Sequence, residues 1–402
     1  MYFSFIITIL FCKRFTKGGN VVKIVISPDS FKGSLSAIEV AQAMSAGIRA
    51  FDHSIETLIL PVADGGEGTL ESLINSTNGR FVSVVVQDPL ERKISADYGI
   101  LGDEETCVIE MAKASGLTLL HREERNPLNA TSYGTGELIK HALDAGFRKF
   151  IVGIGGSATN DGGVGMLKAL GMKFLNSHGA DLGPGGGVLN HLSHIDISEF
   201  DSRIKESTFI IASDVDNPFI GTNGASYIFG PQKGATKSIV SILDQNLKTL
   251  ADVIELTYKV SIHHRQGAGA AGGVGGAFQA FFPHTMKPGI EVVMEAIGFH
   301  EQIKNADLVI TGEGRSDEQT LAGKAPYGVA TVARENGIPV MLLSGYLEPS
   351  SIKNLSLYFD MLGSVVNEKV THRESMEDPA LFLKIQMYQM IVSYVQMKNK
   401  GE

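Results

Sequence analysis

The stretch VKIVISPDSFKGSLSAIEVAQAMSAGIRAF, Val22 to Phe51, decides how the chain is read. Its first eight residues form a short apolar run rich in valine and isoleucine, which reads as a strand buried on both faces of a parallel sheet. From Ser36 onward the apolar residues recur at helical spacing. The join between them places Asp29, Ser30, Lys32 and Ser34 just past the strand. The same order returns at once, with IETLILPVAD as a second strand and GTLESLINSTN as a second helix. Alternation of this kind predicts an α/β fold with a doubly wound parallel sheet, in which ligands gather beyond the carboxyl ends of the strands.

The rhythm changes after Arg80. FVSVVVQDPLERKISADYGIL and TCVIEMA read as antiparallel strands turning at Asp88-Pro89, and helix-strand alternation then resumes through KFIVGIGG and TFIIASD. GAGAAGGVGGAFQAFF, from Gly267 to Phe282, reads as an interdomain hinge or a loop lying against a ligand. After Pro288 the first rhythm returns and ends in a helix over Pro379 to Met397. The expected layout is discontinuous: residues 21–80 with 288–402 build one α/β domain, and 81–287 form an inserted mixed α/β domain.

Among 402 residues, 43% are hydrophobic and 20% charged, the profile of a globular chain with an ample core. A net charge of −9 and the lack of a long basic run argue against nucleic acid or an acidic membrane as partner. The two cysteines, Cys12 and Cys107, form no CxxC pair, so a reducing, cytoplasmic setting is expected. The opening MYFSFIITILFCKRFTKGGN is too short in its apolar part to span a bilayer and has its basic residues on the wrong side for a signal peptide. Because Lys-Gly-Gly can be encoded as a ribosome-binding sequence ahead of Val21-Val22, residues 1–20 are expected to be upstream sequence read as protein.

Glycine is overused, 46 residues or about 11% against an average near 7%, and it sits beside acids and hydroxyls. VADGGEGT has two readings. Asp64 could cap the helix while Gly65, Gly66 and Gly68 supply backbone freedom. Alternatively, the glycines let an anion or metal approach the main chain. Four further strand-end clusters favour the second reading: SPDSFKGSLSA, GIGGSATNDGG, SDVDNP and TGEGRSDEQTLAGKAP. Their carboxylates and amides suit Mg²⁺, and their cations suit phosphate or a small carboxylate. Metal, charge stabilisation and a proton acceptor are the parts of phosphoryl transfer.

Asp214 is expected as the base, with Asp64 and Lys32 also catalytic. Asp64, Glu313 and Asp317 are the expected metal ligands. Asp29, Ser30, Lys32, Gly65 and Gly66 are expected to bind substrate or phosphate. The same role falls to Gly155, Gly156, Ser157 and Asn160, and to Asn217, Arg315 and Lys324. No G-x-x-x-x-G-K-[ST] sequence is present. Gly153 to Ala158 matches G-x-G-x-x-[GA], which raises an NAD(P)-dependent oxidoreductase as the competing enzyme. ATNDGG interrupts the tight join to a helix that such a site needs, and no acidic residue closes a second strand about 20 residues on.

In order along the chain, KIVISPDSFKGSLSA, PVADGGEGT, NPLNATSYGTGELI, GIGGSATNDGGVGML, GADLGPGGG, DVDNPFIG, GAGAAGGVGGAF and DLVITGEGRSDEQTLAGKAP together resemble the bacterial glycerate kinases of the type I family. The resemblance runs from Lys23 nearly to the end. It implies Mg²⁺-dependent transfer from ATP to D-glycerate, with 2-phosphoglycerate as the usual product and 3-phosphoglycerate the other possibility. It also implies a two-domain fold with a flavodoxin-like part and an active site in the cleft between domains. A non-catalytic glycerate-binding sensor on the same fold is the remaining alternative. Ser316, where the family tends to carry a larger residue, is expected to leave the chemistry unchanged.

Overall fold

The computed structural model describes residues 21–400, so the reading of residues 1–20 lies outside the described residues. The chain divides into two compact units. One comprises residues up to Asp64, Glu71–Ser76 and Val293 onward; the other comprises Gly65–Leu70 and Thr77–Val292. The chain therefore passes between units within VADGGEGT itself and again beside Val292, rather than only near Arg80 and Pro288.

The first unit is built on five strands, all parallel, in the order Met361–Ser364, Val340–Ser344, Leu308–Thr311, Lys23–Ile26, Glu56–Ile59. Numbered within the unit this is 2-1-3-4-5, a doubly wound order whose direction reverses between Lys23–Ile26 and Leu308–Thr311. Ile24, Ile26, Leu308, Ile310 and Met341 are buried in its core, as the apolar runs require.

Helix Ala37–Phe51 starts at a capping box, the Ser36 and Glu39 side chains each bonding the other's backbone N–H. A cap of this kind is worth about 1 kcal/mol. The helix packs on the C-terminal helix Pro379–Lys400. Their closest approach is at Gly47, where an added Cβ would stand 2.5 Å from the Lys384 carbonyl oxygen.

The second unit holds a six-stranded mixed sheet, in the order His284–Lys287, Thr208–Ala212, Lys149–Gly153, Thr106–Glu110, Lys93–Ile100, Arg80–Gln87. The first four run parallel, and the last two form an antiparallel hairpin. Asp88 organises the turn of that hairpin, its carboxylate accepting the Leu90 and Arg92 N–H groups and pairing with the Arg92 guanidinium.

Most of GAGAAGGVGGAFQAFF, expected as an interdomain hinge or a loop against a ligand, is helical instead. It forms the buried helical segment Ala270–Phe281, interrupted by left-handed residues at 271–273. An added Cβ at Gly272 would lie 2.0 Å from the Thr159 carbonyl oxygen, so glycine there is what lets the segment underlie the SATNDGG loop.

Because the Gly47 contact is backbone against backbone, Gly47→Val should destabilise the protein by about 2 kcal/mol, within the range for overpacked sites. Urea unfolding of the purified variant measures it. A change below about 0.5 kcal/mol would mean the two helices separate without cost.

Candidate functional site

The loops beyond strands Lys23–Ile26 and Leu308–Thr311 are tied together by main-chain bonds. Ser27 N–H donates to the Ile310 carbonyl at 2.7 Å and Asp29 N–H to the Gly312 carbonyl at 2.8 Å. The Thr311 hydroxyl donates to the Ser27 carbonyl, and the Ser27 hydroxyl to that of Leu60. Asp29 and Glu313 are thereby fixed on adjacent strand ends.

A cavity of about 350 Å³ opens there. Its charged lining includes Asp29, Lys32, Asp64, Glu313, Arg315 and Lys324, together with Ser30. Each acid is held differently. Asp29 is buried and accepts the Ser30 N–H at 2.6 Å. Asp64 faces the Lys32 ammonium at 3.7 Å. Glu313, also buried, accepts hydroxyl bonds from Thr320 at 2.6 Å and Ser316 at 3.1 Å, and stands 3.6 Å from the Lys324 ammonium.

The Ser316 hydroxyl thus contacts the Glu313 carboxylate directly. Arg315 is fixed by Glu348 at 2.9 Å and lies over the Tyr346 ring. Asp317 is the outlier of the expected metal set. It does not line the cavity, and its carboxylate caps the short 3₁₀ turn Glu318–Leu321 and pairs with Arg315.

Burial pushes the Asp29 carboxyl up to about 7. The neighbouring Asp64 charge adds to the rise, while the Ser30 N–H and Lys32 oppose it. Burial also raises Glu313, against its two hydroxyl donors and Lys324. Among the described residues no three His, Cys, Asp or Glu side chains gather tightly enough to hold a metal by themselves. Mg²⁺ is commonly held by one or two carboxylates with phosphate oxygens and water completing the shell. Asp64 and Glu313 fit that partial role: beyond burial, their charges add to the rise at Asp29, and a cation would offset that part of it.

VADGGEGT is not a simple cap. The helix starts at Thr69, five residues beyond Asp64, and its Leu70 N–H bonds the Glu110 carboxylate at 3.2 Å. Glu110 was not foreseen, since nothing local marks it. Gly65, at φ +86, lies against Ala212 and Gly289; an added Cβ would come within 3.2 Å of the former and 3.0 Å of the latter. Gly66 lies against Gly155, where a Cβ would be 2.7 Å away.

In the second unit the GIGGSATNDGG loop follows strand Lys149–Gly153, and its first helix begins only at Val164. The compact strand-turn-helix of a dinucleotide fingerprint is absent, which removes the main support for the NAD(P) reading. Asp161 is fully enclosed and accepts the Ser132 N–H, the Ser132 hydroxyl and the Gly163 and Gly165 N–H groups. Gly156, at φ +74, turns the chain into Ser157.

Ser157 accepts from the Lys233 ammonium at 2.9 Å, and the same ammonium donates to the Thr159 carbonyl at 2.6 Å. Burial pulls Lys233 down to about 7, with the Asp161 charge opposing. Lys233 was missed; its only sequence signal is a lysine in GPQKGA. Asn160 donates to the Ser226 hydroxyl, and Asn217 to the Asn223 carbonyl. Asp214 accepts the N–H of Gly289, the first residue of helix Gly289–Ala296. Ser157 and Asn160 follow strand Lys149–Gly153, Asp214 and Asn217 follow Thr208–Ala212, and Gly289 follows His284–Lys287. The first unit's cavity collects Asp29, Ser30, Lys32, Asp64, Glu313, Arg315 and Lys324.

Residues 24–395 match the glycerate kinase family model. The chain belongs to the glycerate kinase family. It is 47% identical over 363 residues to a glycerate kinase of Bacillus subtilis (strain 168), covering 90% of this chain and 95% of that one. A glycerate 2-kinase of Escherichia coli (strain K12) is 51% identical over 326 residues, covering 81% of this chain and 86% of the other. A crystal structure from Salmonella typhimurium LT2, of a protein named as a candidate glycerate kinase 2, superposes with a TM-score of 0.85 at 43% identity. It covers 94% of this chain and 100% of its own. Among the described residues no helix is long and apolar enough to cross a membrane.

A carboxyl whose folded pKa lies above its unfolded value stabilises the protein at low pH. That stabilisation is lost as pH rises through the folded pKa. For Asp29 the window is about 4 to 7. Asp29→Asn, which cannot ionise, should gain on the native protein across it by on the order of 1 kcal/mol or more. Denaturant midpoints of both proteins, ligand-free, at a series of pH values from 4 to 8 measure this. A pH-independent difference would show that Asp29 titrates normally.

Proposed function

We propose that this glycerate kinase family member transfers the γ-phosphoryl group of ATP to the 2-hydroxyl of D-glycerate with Mg²⁺, in the cytoplasm. The observation that carries the reading is the cavity at the strand reversal, where three carboxylates stand among two lysines and an arginine. The 2-1-3-4-5 strand order supports a flavodoxin-like assignment for that unit. The name of the Escherichia coli relative supports the 2-position over the 3-position.

In the reaction the glycerate hydroxyl oxygen bonds to the γ-phosphorus, the bond to the β,γ-bridging oxygen breaks, and ADP leaves. The hydroxyl proton passes to a carboxylate. Lys32, Lys324 and Arg315 supply positive charge for the phosphoryl oxygens, which carry the charge of the transition state. Asp64 and Glu313 would hold Mg²⁺, which would supply positive charge against the phosphates. Asp214 takes the proton. A carboxylate offers about four acceptor positions, so its bond to Gly289 leaves capacity for the substrate hydroxyl.

An ATP-coupled assay on D-glycerate, with L-glycerate, erythronate and glucose as controls, tests the activity; equal rates on glucose would discard it. Product conversion by enolase without mutase tells the 2-phosphate from the 3-phosphate. Asp214→Asn keeps the Gly289 bond, because asparagine caps about as well as aspartate, so its fold should survive. Its kcat/KM should fall by roughly 10²–10⁴. Asp64→Asn should lose comparable activity but recover partly with raised Mg²⁺, a rescue that Asp214→Asn should not show. Full activity in either variant removes that residue from its role.

A further inference from the structure

The first unit's cavity has two chemically different walls. The charged wall comes from the loops carrying Asp29, Lys32, Asp64, Glu313 and Lys324. The other comes from the C-terminal part of the chain and is mostly apolar: Val365 and Val366 beyond the last strand, Met376 on the short helix His372–Glu377, then Pro379 and Leu383, with His372 and Ser375 of that helix as its polar members. Phe31 and Tyr346 extend it. Met376 is 46% exposed and lines the cavity.

Of the two reactants, only one matches both walls. A three-carbon hydroxy acid is polar throughout, has nothing to set against valine, methionine and leucine, and would fill only a minor part of 350 Å³. Sites of about 300–1,000 Å³ ordinarily enclose ligands of nucleotide size. A nucleotide carries a flat apolar base at one end and phosphates at the other. The point where strand order reverses is also where doubly wound sheets take such ligands.

We infer that this cavity is the nucleotide site, with the base against the Val366–Met376 wall and the phosphates toward Lys32, Lys324 and Arg315. The inference rests on the phosphoryl-transfer reading and adds which reactant occupies the cavity. It gives the segment from Val365 to Leu383 a function that its sequence does not advertise. It also leaves glycerate to be recognised by residues outside the apolar wall.

The test uses the full-length protein and Met376→Glu, a substitution at an exposed position that the fold tolerates, which equal thermal midpoints would verify. Leu357→Glu, at an exposed apolar residue outside the cavity, is the control. Titration calorimetry with ADP and with inorganic pyrophosphate separates the base from the phosphates. Met376→Glu should weaken ADP binding about tenfold, the loss expected when part of an apolar contact is removed. Pyrophosphate binding should change less than twofold. KM for ATP should rise in parallel, with KM for glycerate unchanged.

If ADP affinity stays at the native value, or if KM for glycerate rises instead, the cavity is not the base site. Equal losses for ADP and pyrophosphate would also overturn it, since they would place phosphate, not base, at Met376. Should the native protein bind ADP in this Met376-dependent way yet fail to phosphorylate glycerate, the assignment of the activity fails and the nucleotide site stands.

Discussion

Strand Lys23–Ile26 pairs in parallel with Leu308–Thr311, and the charged part of the first unit depends on that pairing. The partners are separated by more than 280 residues of chain, yet the register Ile24 to Leu308, Val25 to Val309 and Ile26 to Ile310 is continued past the strands by the bonds at Ser27 and Asp29. A slip of one residue would turn every side chain to the opposite face of the sheet. Both faces are buried, by Ile24, Ile26 and Ile310 on one side and Val25 and Val309 on the other, so the register is held by the bonds that continue it at Ser27 and Asp29. Asp29 and Glu313 are therefore neighbours through backbone geometry, not through any attraction of their own. Their like charges oppose the arrangement, and the ladder overrides them.

The second unit meets a different constraint. Its GIGGSATNDGG loop is buried, and buried backbone must find partners. Asp161 supplies them from one side by accepting four bonds, and Lys233 from the other by donating to Ser157 and the Thr159 carbonyl. Glycines 272 and 273 let the underlying helical segment approach within backbone contact. Removing one partner of a buried charged network costs about 3–5 kcal/mol, because the other is left stranded. The glycine excess thus serves close packing here at least as much as ligand approach.

Period and order made much of the fold legible. The apolar runs at Val22, Leu308 and Val340 have no reading other than buried strands once helices of the right spacing follow each. The hairpin at Asp88 was visible because Asp-Pro ends one alternating run just before the next begins. The site was legible where an acid closely follows a strand, as at Asp29, Asp64 and Glu313. It was illegible where the contact is made across the fold. Glu110 bonds a helix start 40 residues away, and Lys233 reaches back 76 residues to Ser157. Neither leaves a spacing signature. Glycine runs misled in one case: composition cannot tell a hinge from a segment that must be thin to be buried, and Gly267 to Phe282 proved to be the latter.

The electrostatics of the first cavity contain an imbalance that follows from this architecture. Lys32 and Lys324 stand 3.7 and 3.6 Å from Asp64 and Glu313, beyond the distance of a tight charge-assisted hydrogen bond. Asp29 is buried beside both acids, accepts the Ser30 N–H and feels the Lys32 charge, and burial with the Asp64 and Glu313 charges still pushes its carboxyl up to about 7. Ammonium groups at these separations stand close enough to the acids to serve incoming phosphate oxygens as well. Crowded acids, conversely, gain from a divalent cation arriving with those phosphates. A cavity with tight pairs would be more stable alone and less able to take up a metal-phosphate complex. On the proposed reading both features follow from the architecture: a parallel sheet brings charges together at its strand ends without regard to their sign, and it buries Asp29 among them.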